Sequence, residues 1–180
     1  MRRLAAALGL CLVLCLTGAA AAQPVAARLK ADLLAGPSAT QVLGAWCARL
    51  KLADPPVIHA GRNLIDVSPP GAEVRALLKV GADEPVRYRR VRLACGSHVL
   101  SEADNWYVPS RLTPAMNTAL DTTDTPFGTV VRPLNFHRQT LDADAVTDGH
   151  IILKVRALLL TADDVPFSLV VENYTDELAR

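Results

Sequence analysis

RRVRLACGSHVLSEADNWYVP, residues 89–109, decides the fold. Val91, Leu93 and Cys95 alternate with Arg90, Arg92 and Ala94, the two-residue period of a half-buried strand. Val99 and Leu100, then residues 105–108, bracket a polar stretch and carry a returning strand, so the segment reads as a β-hairpin. Residues 97–104 read as its turn and surface tip. Trp106 and Tyr107 are neighbours on a strand and point to opposite faces, so one of them packs in the core.

The density of Cys, His and acids in this hairpin does not make a metal or nucleophile site. Cys95 and His98 are three apart, but there is no second pair, and His59, His137 and His150 lie scattered. A tetrahedral zinc site takes four ligands, or three and a water. Ser97 and His98 lack the glycine-flanked elbow that presents a nucleophilic serine. No metal is expected.

Outward from the hairpin, Ser38 and Gln41 form a capping box, and Val42, Leu43, Trp46, Cys47 and Leu50 follow at helical spacing. This predicts an amphipathic helix over 39–51, ended by Asp54-Pro55-Pro56. A short helix is expected over 73–80, carrying Val74, Leu77 and Leu78 inward. Thr113-Pro114 starts another, with Thr as cap and Pro in the first turn, running to about residue 121. Thr125-Pro126-Phe127-Gly128 reads as a turn, and residues 129–138, 149–161 and 167–174 as strands. Helices come early and hairpin-linked strands late, which argues an α+β fold with one mainly antiparallel sheet.

At the N-terminus, Arg2 and Arg3 precede an apolar run from Leu4 to Leu16 and small residues from Ala19 to Ala22. This is the pattern of a secretory signal peptide over residues 1–22, and the run is shorter than the roughly 20 apolar residues of a membrane span. The expected location is the periplasm or the exterior. Residues 23–37 are a short helix or a loose leader, and residues 38–180 form a single domain. Without the first 22 residues, 17 Lys and Arg face 18 Asp and Glu. That balance gives no electrostatic case for nucleic acid or an anionic membrane surface. Cys47 and Cys95 then remain, either as a disulfide of an oxidising compartment or as two buried thiols.

The order RRVRLACG, NWYVP, helix, TPFG resembles the bacterial chorismate pyruvate-lyase family. The likeness runs ungapped from Arg90 to Pro109, extends more loosely to Tyr174, and covers roughly half the chain. It implies a chorismate lyase-like fold: a six-stranded antiparallel sheet with helices over it and a small, largely enclosed ligand cavity, in an exported and divergent member. It also implies release of pyruvate from chorismate or a related cyclic enol ether, leaving a hydroxybenzoate such as 4-hydroxybenzoate, without a cofactor. By position, the carboxylate-binding Arg falls on Arg90, the turn's backbone contact on Phe127, and the Glu of the last strand on Glu172. Arg90 and Glu172 would be the catalytic pair. Asn105 stands where the family often carries a second Arg, with Arg92 or Arg111 as substitutes.

A guanidinium can grip a carboxylate through two parallel hydrogen bonds. A Glu in an apolar cavity can donate a proton as an ether bond breaks. Alternation alone sets Arg90 with Arg92 on a solvated face, whereas the resemblance needs that face to line a cavity. Glu172 shares its face with Ser168, Val170 and Tyr174. Two readings follow: a carbon–oxygen lyase, or a non-catalytic periplasmic module that binds a small aromatic carboxylate. A structural envelope protein with a filled core is a third. The domain is expected to be a monomer.

Overall fold

The structure, a computed structural model, describes residues 24–63 and 67–180. The segment read as a signal peptide lies outside them. Residues Val25–Ala35 form helix α1, so this stretch is a helix, and it buries Leu29 and Leu33 in the core. Helix α2 follows at Ala39–Leu50, with the Gln41 N–H donating to Ser38 Oγ at 3.3 Å as its cap. Its apolar stripe, Val42, Leu43, Trp46 and Cys47, is buried.

Strand β1 (Ile58–Asn63) precedes α3 (Ala72–Leu78), β2 (Arg87–Cys95) and β3 (His98–Tyr107). The hairpin turn is thus confined to Gly96 and Ser97, and residues 98–104 are strand instead of the expected polar tip. The polar residues fit a strand because alternate ones face opposite sides of the sheet. Glu102 and Asp104 pair outward with Arg92, Arg90 and Tyr88, while Ser101 and Asn105 are buried inward.

Helix α4 spans Pro114–Thr122, where the Met116 N–H donates to Thr113 Oγ1. A four-residue helix, α5 (Phe127–Val130), and a 3-10 turn at Arg132–Leu134 occupy half of the segment read as a strand over 129–138. There, docking of Phe127 against Tyr107 and Phe167 outweighs the β-propensity of Thr129, Val130 and Val131. Strands β4 (His137–Asp148), β5 (Ile151–Leu160) and β6 (Pro166–Thr175) complete the domain.

The six strands form one antiparallel sheet in the order β1-β2-β3-β6-β5-β4. The fold is the expected α+β class. Helices α1 and α2 cover one face, packing Leu29, Leu43, Trp46 and Cys47 on Val91, Leu93, Val155 and Tyr174. Further along that face, α4 and α5 pack Met116, Leu120 and Phe127 on Tyr107, Leu159 and Phe167. On the opposite face α3 sets Leu78 against Leu158, Leu160 and Leu169. Cys47 of α2 and Cys95 of β2 have Cα atoms 6.1 Å apart and are joined in a disulfide. No helix of the described residues is long and apolar enough to cross a membrane.

Candidate functional site

Between the two clusters on the helix-covered face the sheet is not fully filled. A cavity of ≈ 50 Å³ lies there, walled by Val91, Leu93, Ala103, Leu159 and Val170, and roofed by the first turns of α2 and α5 with Phe127 and Phe136. Four polar side chains line it from the sheet: Arg89 of β2, Asn105 of β3, Arg138 of β4 and Glu172 of β6. Strand pairing explains their convergence. Arg89 lies opposite Asn105, Asn105 opposite Val170, and Glu172 opposite both Ala103 and Val155, so residues distant in sequence share one face.

The guanidinium that β2 sets on this face is that of Arg89, not Arg90. Arg90 projects to the other side of β2, where its side chain is 37% exposed and pairs with Asp104 at 3.5 Å and Glu102 at 3.8 Å. The position that the resemblance assigns therefore lies outside the cavity. Side chains alternate across a strand, so the adjacent Arg89 and Arg90 lie on opposite faces of the sheet. Arg92 pairs outward with Glu102, and Arg111 donates to the carbonyls of Leu78, Lys79 and Pro166. Neither joins the site.

Arg89 is only 8% exposed. Its Nη2 donates to the Thr125 carbonyl at 3.2 Å, while Nε and Nη1 have no partner among the described residues. Burial, and then the positive charge of Arg62, push its pKa below the usual guanidinium value. Beside it, Asn105 Oδ1 accepts from Ser168 Oγ at 2.5 Å, leaving Nδ2 without a partner. Buried polar groups in folded proteins are nearly all satisfied. Two neighbouring side chains with spare donors therefore describe a place built to hold an acceptor.

The second pole is closed. Arg138 Nη2 and Nη1 donate to Glu172 Oε2 and Oε1 at 2.5 and 3.3 Å, and the Tyr174 hydroxyl donates to Oε2 at 2.8 Å. Both ion-pair side chains are 6% exposed. Burial works to lower the Arg138 pKa, but the charges of Glu172 and Tyr174 and the hydrogen bond to Glu172 hold it above its ordinary value. Glu172 thus faces the cavity as expected, with both carboxylate oxygens engaged. Phe127 also lines the cavity, its ring 5.4 Å from that of Tyr107.

Arg89 and Arg138 are the site residues that sequence reasoning missed. Arg89 carried a signal, since it falls in phase with Val91 and Leu93. Arg138 carried none, because its placement depends on β4 pairing with β5, where it lies opposite Leu159. Among the described residues no group of three or more His, Cys, Asp or Glu side chains is placed to hold a metal ion.

One antiparallel sheet with a cavity under helices that cover one face is the chorismate lyase-like fold. The effector domain of PhnF from Mycobacterium smegmatis is similar in fold at a TM-score of 0.52 and 13% identity, over 77% of this chain and 88% of that one. PhnF from the same organism matches at 0.51 and 14% identity over 77% of this chain, which spans 63% of that longer one, less than two thirds of its length. In sequence, the uncharacterized protein y4mC of Sinorhizobium fredii is 42% identical over 173 residues, covering 83% of this chain and 73% of that protein. The chain belongs to the same family as y4mC. No family model matches it.

Proposed function

We propose that this protein is an exported, non-catalytic binding module for a small aromatic carboxylate, held in the cavity by Arg89 and Asn105. The observation that carries the reading is the Arg89 guanidinium, buried, in no ion pair with any described residue and keeping two donors unpartnered. An uncompensated buried charge is costly, and a ligand carboxylate would supply both the countercharge and the acceptors. Phe127, Phe136 and the aliphatic wall suit an aromatic body. The export pattern at the N-terminus and the Cys47–Cys95 disulfide agree with an oxidising location.

Binding is favoured over pyruvate release by the state of Glu172. A general acid must hand its proton to the leaving oxygen. Both oxygens of this carboxyl already accept hydrogen bonds from Arg138 and Tyr174.

Calorimetry with benzoate and 4-hydroxybenzoate, against benzamide as the uncharged control, tests the reading. The carboxylates should bind and benzamide should not. Arg89→Met should weaken carboxylate binding by roughly 10–100-fold, the worth of one or two charge-assisted hydrogen bonds, with an unchanged circular dichroism spectrum. Equal binding of benzamide would remove Arg89 from its role. Pyruvate release on incubation with chorismate would restore the lyase reading.

A further inference from the structure

The cavity holds space for only a few waters, so an aromatic ligand enters only if part of its wall moves. Besides a recess of ≈ 290 Å³ that shares Phe136 and Arg138, where Arg138 is locked to Glu172, two outer depressions adjoin it. One is a cleft that shares a single residue with the cavity, Arg89, and carries Arg62, Arg87 and Arg90. The other is a vestibule of ≈ 190 Å³ that shares three, Ser38, Gly128 and Phe136.

The cleft is the less suitable way in. Its cations are already matched: Arg62 with Asp124, Arg87 with Asp121, and Arg90 with Asp104. Its shared residue is tied to the Thr125 carbonyl. The vestibule differs on both counts. None of the described residues lining it is acidic, and Arg132 on its wall is exposed and makes no ion pair with any described residue. The barrier between vestibule and cavity is thin. At Gly128, α5 approaches the start of α2 so closely that a Cβ would sit 3.2 Å from Thr40 Oγ1 and 3.6 Å from Ser38 Cβ. Phe136 is half-buried and touches Phe167 edge-on at 6.0 Å, so it can swing outward without leaving a large core.

We propose that the ligand enters between α2 and α5, past Phe136, and that Arg132 makes this portal selective for anions. An unmatched cation at a narrow mouth raises the local concentration of anions, and its effect fades as salt shortens the screening length. The inference deepens the carboxylate-binding reading and rests on it for the natural ligand's charge. Access itself can be measured without any carboxylate.

Ala103→Cys places a thiol on the cavity wall, with Val170→Cys as a second position should the first fail to fold. The full chain is treated with neutral methyl methanethiosulfonate or with its anionic 2-sulfonatoethyl counterpart, and peptide mapping by mass spectrometry follows only the introduced thiol. Phe136→Ala should speed both reagents several-fold. Arg132→Glu should slow the anionic reagent about three- to ten-fold relative to the neutral one at low salt, for a two-charge change a few ångströms from the path. That difference should vanish in high salt. Unaltered rates in both variants would overturn the portal, as would complete protection of the thiol in both backgrounds. A charge effect from Arg87→Glu in place of Arg132→Glu would overturn it in favour of the other cleft. If benzoate fails to bind the unmodified protein, the carboxylate reading falls, while the labelling rates still decide the route.

Discussion

Glu172 and Arg138 sit where a charge can be tolerated only in company. Each side chain is 6% exposed, and the pair is completed by the Tyr174 hydroxyl. Glu172→Gln keeps the shape and part of the hydrogen bonding but leaves the Arg138 charge uncompensated. It should cost about 3–5 kcal/mol, as removal of one partner of a buried pair does. Urea unfolding measures this, and the double variant Glu172→Leu with Arg138→Met should recover much of the loss. A single-variant cost within error of zero would mean that water reaches the pair freely. Arg89 makes a complementary point about reading sequence. Its phase with Val91 and Leu93 sets it on the buried face, whereas the resemblance points to Arg90, which alternation sets on the solvated one. Alternation set Arg90 on the solvated face, and there it lies, paired with Asp104. For Glu172 the mixed face of Ser168, Val170 and Tyr174 left cavity and rim equally open, and the structure sets it on the cavity wall.

At the scale of elements, local chemistry was readable wherever an end carried its own signal. The Ser38 cap and the Thr113-Pro114 start both open helices where expected. Thr113→Ala should cost about 1 kcal/mol, the worth of one cap, seen as a lowered urea midpoint with an unchanged slope. Elements that owe their form to partners were not readable. Strand β1 is short and contains Gly61, and it exists through its pairing with β2. Helix α5 owes its conformation to the aromatic seat of Phe127. Between these extremes lies the Cys47–Cys95 bridge. Helical phase turned Cys47 inward and strand phase turned Cys95 inward, so their approach was legible but their bonding was not. The bridge ties α2, whose first turn roofs the cavity, to β2, which carries Arg89. Denatured, unreduced protein should show no thiol at either position. Replacing both by Ala should cost about 4 kcal/mol on the chain-entropy estimate for a 48-residue separation.

For the molecule as a whole, the tyrosines report how tightly the sheet is covered on both faces. All three in the sequence are strand residues: Tyr88 on the α3 side, Tyr107 and Tyr174 on the cavity side. Burial, reinforced by the hydrogen bond to Asp104, pushes the Tyr88 hydroxyl up to about 12. Burial raises Tyr107 as well, against the opposing pull of Arg87. For Tyr174, burial and then the Glu172 charge raise the pKa well above the ordinary phenol value. An unfolded chain ionises its tyrosines near pH 10, so below that pH neither state is charged and this contribution to stability is fully present. Above it the unfolded state loses protons first and stability falls, until the folded hydroxyls ionise in turn, Tyr88 at about 12. Ultraviolet titration of the native protein should therefore show less tyrosinate at pH 10 than the unfolded chain does, and urea midpoints should drop progressively from pH 10 upward. Tyr88→Phe should soften that drop, because it removes one of the three linked groups. Full tyrosinate absorbance from the folded protein near pH 10 would show the sheet open to solvent at all three positions, and with it a cavity too exposed to keep Arg89 unhydrated.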